Sequence, residues 1–304
     1  GNAQDPRGRI ANAEEWNANI AVGVWITSGS INDARYSMGS SGTRDAALIF
    51  GGDSPNNTAN TESWNATSWA EVNDLNTSRR ALGGLGLQTA SLAVGGYVGP
   101  SQTGATEEWN GSVWGEVNDL NTPRYEIVNA CLGTTTAGLC VGGTPAPTSA
   151  LVEEWNGSSW TEKADLNTGR RGVGASGIYT SALAYGGNDN PGASSAATES
   201  WNGSSWTEVA DLNRKREFLG SIGASNTSAL GFGGRDGSTY VADTELWNGT
   251  IWTRDQDKNT SRGNTSDSGT TATAAIAAGG SPPVTDVSEE WFGDGHITEK
   301  ISSS

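Results

Sequence analysis

Short apolar runs bounded by Gly, Asn or Ser recur along this chain in sets of four. A small-residue stretch such as ALGGLG at 81–86 comes first, followed by a more apolar one ending at Gly-Gly, such as SLAVGG at 91–96. A TEEWN or TESWN stretch and one of the SWTEVADL kind complete the set. Between these last two lies Asn-Gly at 110–111, 156–157, 202–203 and 248–249. This pair is the strongest short-range hairpin signal, because both residues accept the positive φ of a tight turn. The pattern predicts four short antiparallel strands per set.

The sets keep phase. Glu-x-Trp recurs at Trp16, Trp64, Trp109, Trp155, Trp201, Trp247 and Trp291, in steps of 48, 45, 46, 46, 46 and 44 residues. A second Trp follows five residues later at Trp69, Trp114, Trp160, Trp206 and Trp252; the first set spaces them by nine (Trp16, Trp25), and the last has His296 instead. Ten residues after each second Trp comes Arg35, Arg79, Arg124, Arg170, Arg216 or Arg262. Gly-Gly closes the second strand at 51–52, 95–96, 142–143, 186–187, 233–234 and 279–280. Two Trp residues five apart fall on one face of a hairpin, since cross-strand partners are separated by odd numbers.

Four strands per repeat of about 46 residues is the signature of a β-propeller blade. The expected fold is all-β: a six-bladed propeller of four-stranded blades over residues 35–304, preceded by an N-terminal segment, 1–34. Seven outer Trp units accompany six Arg-led inner pairs, so the alternative is seven blades with one incomplete. For ring closure we expect the stretch 22–27, whose Trp25 keeps its distance from Arg35, as outer strand of the last blade. The competing closing strand is 296–301.

The Gly-Gly after the second strand, the following Trp and the Arg opening the next unit resemble the kelch repeat over residues 35–301. The third strand departs from it, carrying Trp where kelch repeats more often carry Tyr. The near-identical units WNGSSWTEVADLN and WNGSSWTEKADLN also resemble kelch-like repeats of marine bacteriophage structural proteins. That resemblance implies a virion or extracellular setting.

Composition changes the picture of the core. Leu, Ile, Val and Phe number 47 of 304 residues, a share that points towards disorder. The 13 Trp residues oppose this, because each can bury roughly 200 Å². The net charge of −16 repels nucleic acid and anionic lipid. No apolar stretch approaches the roughly 18 residues of a membrane span, and the start at 1–6 has neither the basic nor the apolar region of a signal peptide. We therefore expect no nucleic-acid partner and no membrane insertion.

Candidate chemistry is sparse. The Trp pairs read as wedges between blades, and the Glu and Arg series as one repeated ion pair per blade. His296 is the only histidine, whereas copper oxidases on a kelch propeller use two; multi-His zinc sites and His-based triads are excluded on the same ground. The Asp-box of sialidases is missing because Asn and Gly are adjacent. No catalytic residue, metal site or cofactor is expected. The sequons at Asn110, Asn156, Asn202 and Asn248 arise from the hairpin turns themselves. Cys131 and Cys140 fall opposite each other in the first hairpin of one repeat, which allows a disulfide or two small buried thiols.

Second-to-third-strand loops vary most, and variable loops on a rigid scaffold commonly carry recognition. The candidate ligand-binding residues are Asp53, Asn56, Tyr97, Gln102, Asn188, Asp189, Arg235, Asp236 and Tyr240. The expected function is a non-catalytic binding or structural protein, an appendage, adhesin or decoration touching other virion or surface proteins or a host-surface glycan. Homo-oligomers are compatible with it. The competing class is a glycan hydrolase or lyase using loop carboxylates.

Overall fold

The computed structural model describes residues 23–145, 148–190 and 193–293. The described residues contain no helix and form six four-stranded antiparallel sheets, with two small two-stranded ribbons in the loops. Blade 1 runs from its inner to its outer strand as Gly39–Gly42, Ala47–Phe50, Thr61–Trp64 and Trp69–Val72. Blades 2 to 5 repeat this order, with inner strands Gly83–Leu87, Cys131–Thr134, Gly174–Ile178 and Gly220–Ser225. Blade 6 begins with Ser266–Thr271, Ala274–Ala278 and Ser288–Phe292, and its outer strand is Val24–Ser28 from the other end of the chain. Trp25 pairs with Trp291 there, in the register of Trp64 with Trp69. The segments holding Trp16 and His296 lie outside the described residues.

The polar turns shape the hairpins. The Oδ1 atoms of Asn110, Asn156, Asn202 and Asn248 accept the N–H groups two and three residues on, at 2.9–3.0 Å. The Gly after each Asn has φ of 90–94°, a value that strains any side chain with a Cβ. These four turns set their Trp pairs directly opposite, and Trp64–Trp69 and Trp25–Trp291 take the same register; ring centroids lie 5.2–5.5 Å apart in all six pairs.

All twelve of these rings are buried. The outer Trp reaches into the preceding blade. Trp114, Trp252, Trp25 and Trp69 donate their indole N–H to Thr61, Thr198, Thr244 and Ser288 at 3.0–3.2 Å. Those four acceptors head the third strand of the neighbouring sheet. Blade faces therefore meet through aromatic wedges, and these twelve Trp supply a core where aliphatics are few.

Each blade also buries an ion pair: Arg35–Glu62, Arg79–Glu107, Arg124–Glu153, Arg170–Glu199, Arg216–Glu245 and Arg262–Glu289, at 2.7–3.2 Å. The second carboxylate oxygen accepts the backbone N–H of Asn32, Asn76, Asn121, Asn167, Asn213 or Asn259, at 2.7–2.8 Å. These Asn residues belong to the segments entering each blade. The charges thus fix the inter-blade connection to the third strand.

A belt of backbone hydrogen bonds closes the ring at the end opposite the tight turns. Ala81 donates to Ser37, Ile127 to Ala81, Gly172 to Glu126, Phe218 to Gly172, Asn264 to Phe218 and Ser37 to Asn264, at 2.8–3.4 Å. The residue two beyond the Arg has φ of 52–57° in every blade. That conformation costs a non-Gly residue on the order of 1–3 kcal/mol, and here it turns N–H and C=O along the ring to the next blade. Cys131 and Cys140 are cross-strand partners joined by a disulfide.

Candidate recognition face

The second-to-third-strand loops and the inter-blade segments share the belt end of the ring. There, in each blade, the residue after the Arg forms a backbone bridge with the residue after Gly-Gly. The pairs are Tyr36–Asp53, Arg80–Tyr97, Tyr125–Thr144, Arg171–Asn188, Glu217–Arg235 and Gly263–Ser281. Backbone geometry repeats around the ring while side-chain chemistry does not.

Four of the nine loop residues chosen from sequence sit in these bridges: Asp53, Tyr97, Asn188 and Arg235. Asp53 is buried and receives both the Tyr36 hydroxyl, at 3.3 Å, and the Arg80 guanidinium. Arg80 also lies over the Tyr97 ring, 5.0 Å from its centroid, and Tyr97 packs on Tyr125 at 5.3 Å. Arg235 is held by Glu217 at 3.0 Å and faces Phe218 and Tyr240 at 5.5 and 6.0 Å. Asn188 is buried.

The remaining five are spread further out. Gln102 bridges to Tyr97 through the backbone. Asn56 is exposed, its carbonyl accepting from Ser54. Asp189 lies in the ribbon Asn188–Asn190, and Asp236 and Tyr240 lie in the ribbon of blade 5. Asp236 already has cations beside it, Arg214 at 3.2 Å and Lys215 at 3.8 Å.

The face includes residues that loop variability did not single out: Tyr36, Arg80, Tyr125, Glu126, Arg171, Glu217 and Phe218. Their signal was present, since the two positions after an unvarying Arg change identity in every repeat. Arg171 pairs with Glu126 at 3.0 Å. Burial pushes the Glu126 carboxyl up against the opposing pull of Arg171. Burial and then Asp53 raise the Tyr36 phenol. Three buried acceptor oxygens here, Asp53 Oδ1, Asn188 Oδ1 and Glu217 Oε2, have no hydrogen-bond partner. Half-buried tyrosine faces and paired charges make a surface suited to a hydroxyl-rich or mixed polar ligand.

A rigid six-bladed β-propeller carrying one chemically varied face is the class that this fold and surface define. The solved structure described as "Structure of YjhT" is similar to it: TM-score 0.71 at 10% sequence identity, covering 87% of this chain and 95% of that one. At that identity the likeness concerns the fold. No family model matches the chain, and no curated protein matches it.

Proposed function

We propose that this propeller is a non-catalytic recognition module, built of kelch-like repeats, whose belt face binds a glycan or protein surface outside cells. The observation carrying this reading is the bridge ring itself: six equivalent backbone positions that present Tyr36, Arg80, Tyr125, Arg171, Glu217 and Gly263. Selection for packing alone gives no reason for such variety beside Arg and Trp columns that do not vary.

The carboxylates of this face favour binding over hydrolysis. Asp53 is held by Arg80, Glu126 by Arg171, Glu217 by Arg235 and Asp236 by Arg214. A glycosidase needs an acid and a base directed at substrate rather than at arginines. The Cys131–Cys140 disulfide fits an oxidising setting, and the near-identical repeats fit a virion appendage or decoration.

The test is binding to an array of bacterial and algal polysaccharides and to purified cell envelopes. Replacing both Tyr97 and Tyr125 by Ala is expected to weaken binding at least about tenfold, with the melting temperature little changed. Retained binding, or turnover of a polysaccharide abolished by Glu126→Gln, contradicts this reading.

A further inference from the structure

The ring axis is plugged. In five blades the Arg precedes the last glycine of the inner strand by seven residues, as in Arg79 to Gly86; in blade 3, Arg124 precedes Gly133 by nine. The two extra residues bring Asn129, with φ of 58°, onto the axis. Its carbonyl accepts from Ala175 N–H and Ser221 Oγ, both at 2.8 Å, and its Nδ2 donates to Thr265 O at 3.0 Å and Asp267 Oδ2 at 2.6 Å. Through its backbone carbonyl and its side chain together, this one residue of blade 3 is tied to blades 4, 5 and 6.

On the tight-turn side of this plug the channel is a blind cavity of about 300 Å³, within the size range of small-molecule sites. Leu87 and Ile178 stand at its mouth, 49% and 47% exposed. The corresponding positions hold Thr43, Thr134, Ala224 and Thr270 in the other blades. Leu85, Leu132 and Ile222 line the wall. The Ser41 hydroxyl, also lining it, is buried without a hydrogen-bond partner. At the floor Asp267 has Oδ2 held by Asn129 and Thr265, while Oδ1 is buried with no hydrogen-bond partner.

We propose that this cavity is a binding site for a small organic cation, a primary ammonium on an apolar body, entering from the tight-turn face. The ammonium donates to Asp267 Oδ1 and to a serine hydroxyl, and the apolar body lies against Leu85, Leu132 and Ile222. A buried carboxylate oxygen lacking a donor is costly, and a charged donor relieves it most strongly. Burial pushes the Asp267 carboxyl up to about 6, against the pull of Lys258, Arg262 and the hydrogen bonds from Thr265 and Asn129. Three residue steps from floor to mouth give roughly 10 Å of depth, which suits a short linear chain. This site is separate from the belt face and does not depend on what that face binds.

The test is calorimetric titration of the full chain at pH 7.5 with n-hexylammonium and with 1-hexanol. Wild type is expected to bind the amine at least about tenfold more tightly than the alcohol. Asp267→Asn is expected to abolish that preference while retaining the alcohol. Ala224→Trp, a substitution at an exposed position on the rim, is expected to block both ligands without unfolding the ring. No amine binding at millimolar concentration, a preference that survives Asp267→Asn, or binding unaffected by Ala224→Trp each overturns the proposal.

Discussion

The rings of Trp25 and Trp291 lie 5.4 Å apart at an interplanar angle of 44°, so strands from the two ends of the chain meet in one Trp pair. Trp25 also packs on Phe232 of blade 5 at 4.8 Å and donates to Thr244 Oγ1 at 3.0 Å. The N-terminal strand therefore covers an edge that Ser288–Phe292 would otherwise expose, and seals the interface between blades 5 and 6.

Removing that indole leaves a cavity at the closure. Trp25→Ala is expected to cost about 3–5 kcal/mol, the range for large aromatic truncations, read from guanidinium unfolding. Deleting residues 1–28 is expected to lower the midpoint further in the isolated monomer. A truncated chain unfolding at the wild-type midpoint refutes a stabilising role for the closing strand.

The indole-to-hydroxyl column is incomplete at the interface between blades 3 and 4. Thr61, Thr198, Thr244 and Ser288 accept from neighbouring Trp residues, but the equivalent position in blade 3 is Val152, and Trp206 Nε1 is buried without a partner. Val152→Thr is expected to stabilise by about 0.5–1.5 kcal/mol, the net worth of a satisfied hydrogen bond. The gain is expected to vanish in a Trp206→Phe background. Trp160 shows that a hydroxyl in the column is not sufficient by itself: Thr106 stands there, and Trp160 Nε1 is nonetheless unpartnered.

Lys258 gives the stability curve a pH dependence. It occupies the column of Leu75, Leu120, Leu166 and Leu212, is buried against Trp25 and Phe232, and its Nζ has no hydrogen-bond partner. Burial lowers its pKa to about 7; Arg262 acts in the same direction, and Glu289 and Asp267 oppose it. The unfolded chain holds the proton up to about 10.4. Between about 7 and 10.4 unfolding takes up a proton, so this group makes stability rise with pH, and its penalty is complete below 7. Asp267 acts in the opposite sense: with its carboxyl at about 6, its contribution falls as pH rises from about 4 to 6. Lys258→Leu is expected to raise stability at pH 7 by a few kcal/mol, on the order of the desolvation cost of a buried charge. It should also flatten the alkaline rise in urea-unfolding free energies. An unchanged slope from pH 7 to 10 in the variant argues against Lys258 as its source.

The blade architecture was legible because its determinants are local and repeated. Glu-x-Trp, the second Trp, the Arg and Gly-Gly each mark one turn or one strand end, and six copies reinforce one phase. The bridge ring was half legible. Asp53, Tyr97, Asn188 and Arg235 lie in variable loops, but Tyr36, Arg80, Tyr125, Arg171 and Glu217 follow an unvarying Arg and lie outside those loops. Residues about 45 positions apart become neighbours there only after the ring closes. The plug was visible as a two-residue excess between Arg124 and Gly133. Its direction depends on Asn129 meeting Thr265 and Asp267 across the axis, which a count along one strand does not specify.

The buried Arg–Glu pairs give the sharpest contrast between losing one charge and losing two. Arg170 donates to Gly186 O at 2.9 Å, Ala197 O at 2.6 Å and Glu199 Oε1 at 2.7 Å, while Glu199 Oε2 accepts two bonds from Asn167. Burial pulls the Arg170 pKa down and the Glu199 charge pulls it back up, so the guanidinium relies on that carboxylate. Glu199→Leu leaves a buried unpaired cation and is expected to cost about 3–5 kcal/mol. Replacing both partners, Arg170→Met with Glu199→Leu, removes that charge and is expected to recover part of the loss. Recovery should be incomplete, because the two carbonyls and Asn167 lose their partners. Chemical unfolding of the two variants beside the wild type decides it: a double variant less stable than Glu199→Leu means that Arg170 holds the blade through its carbonyl contacts rather than through the ion pair.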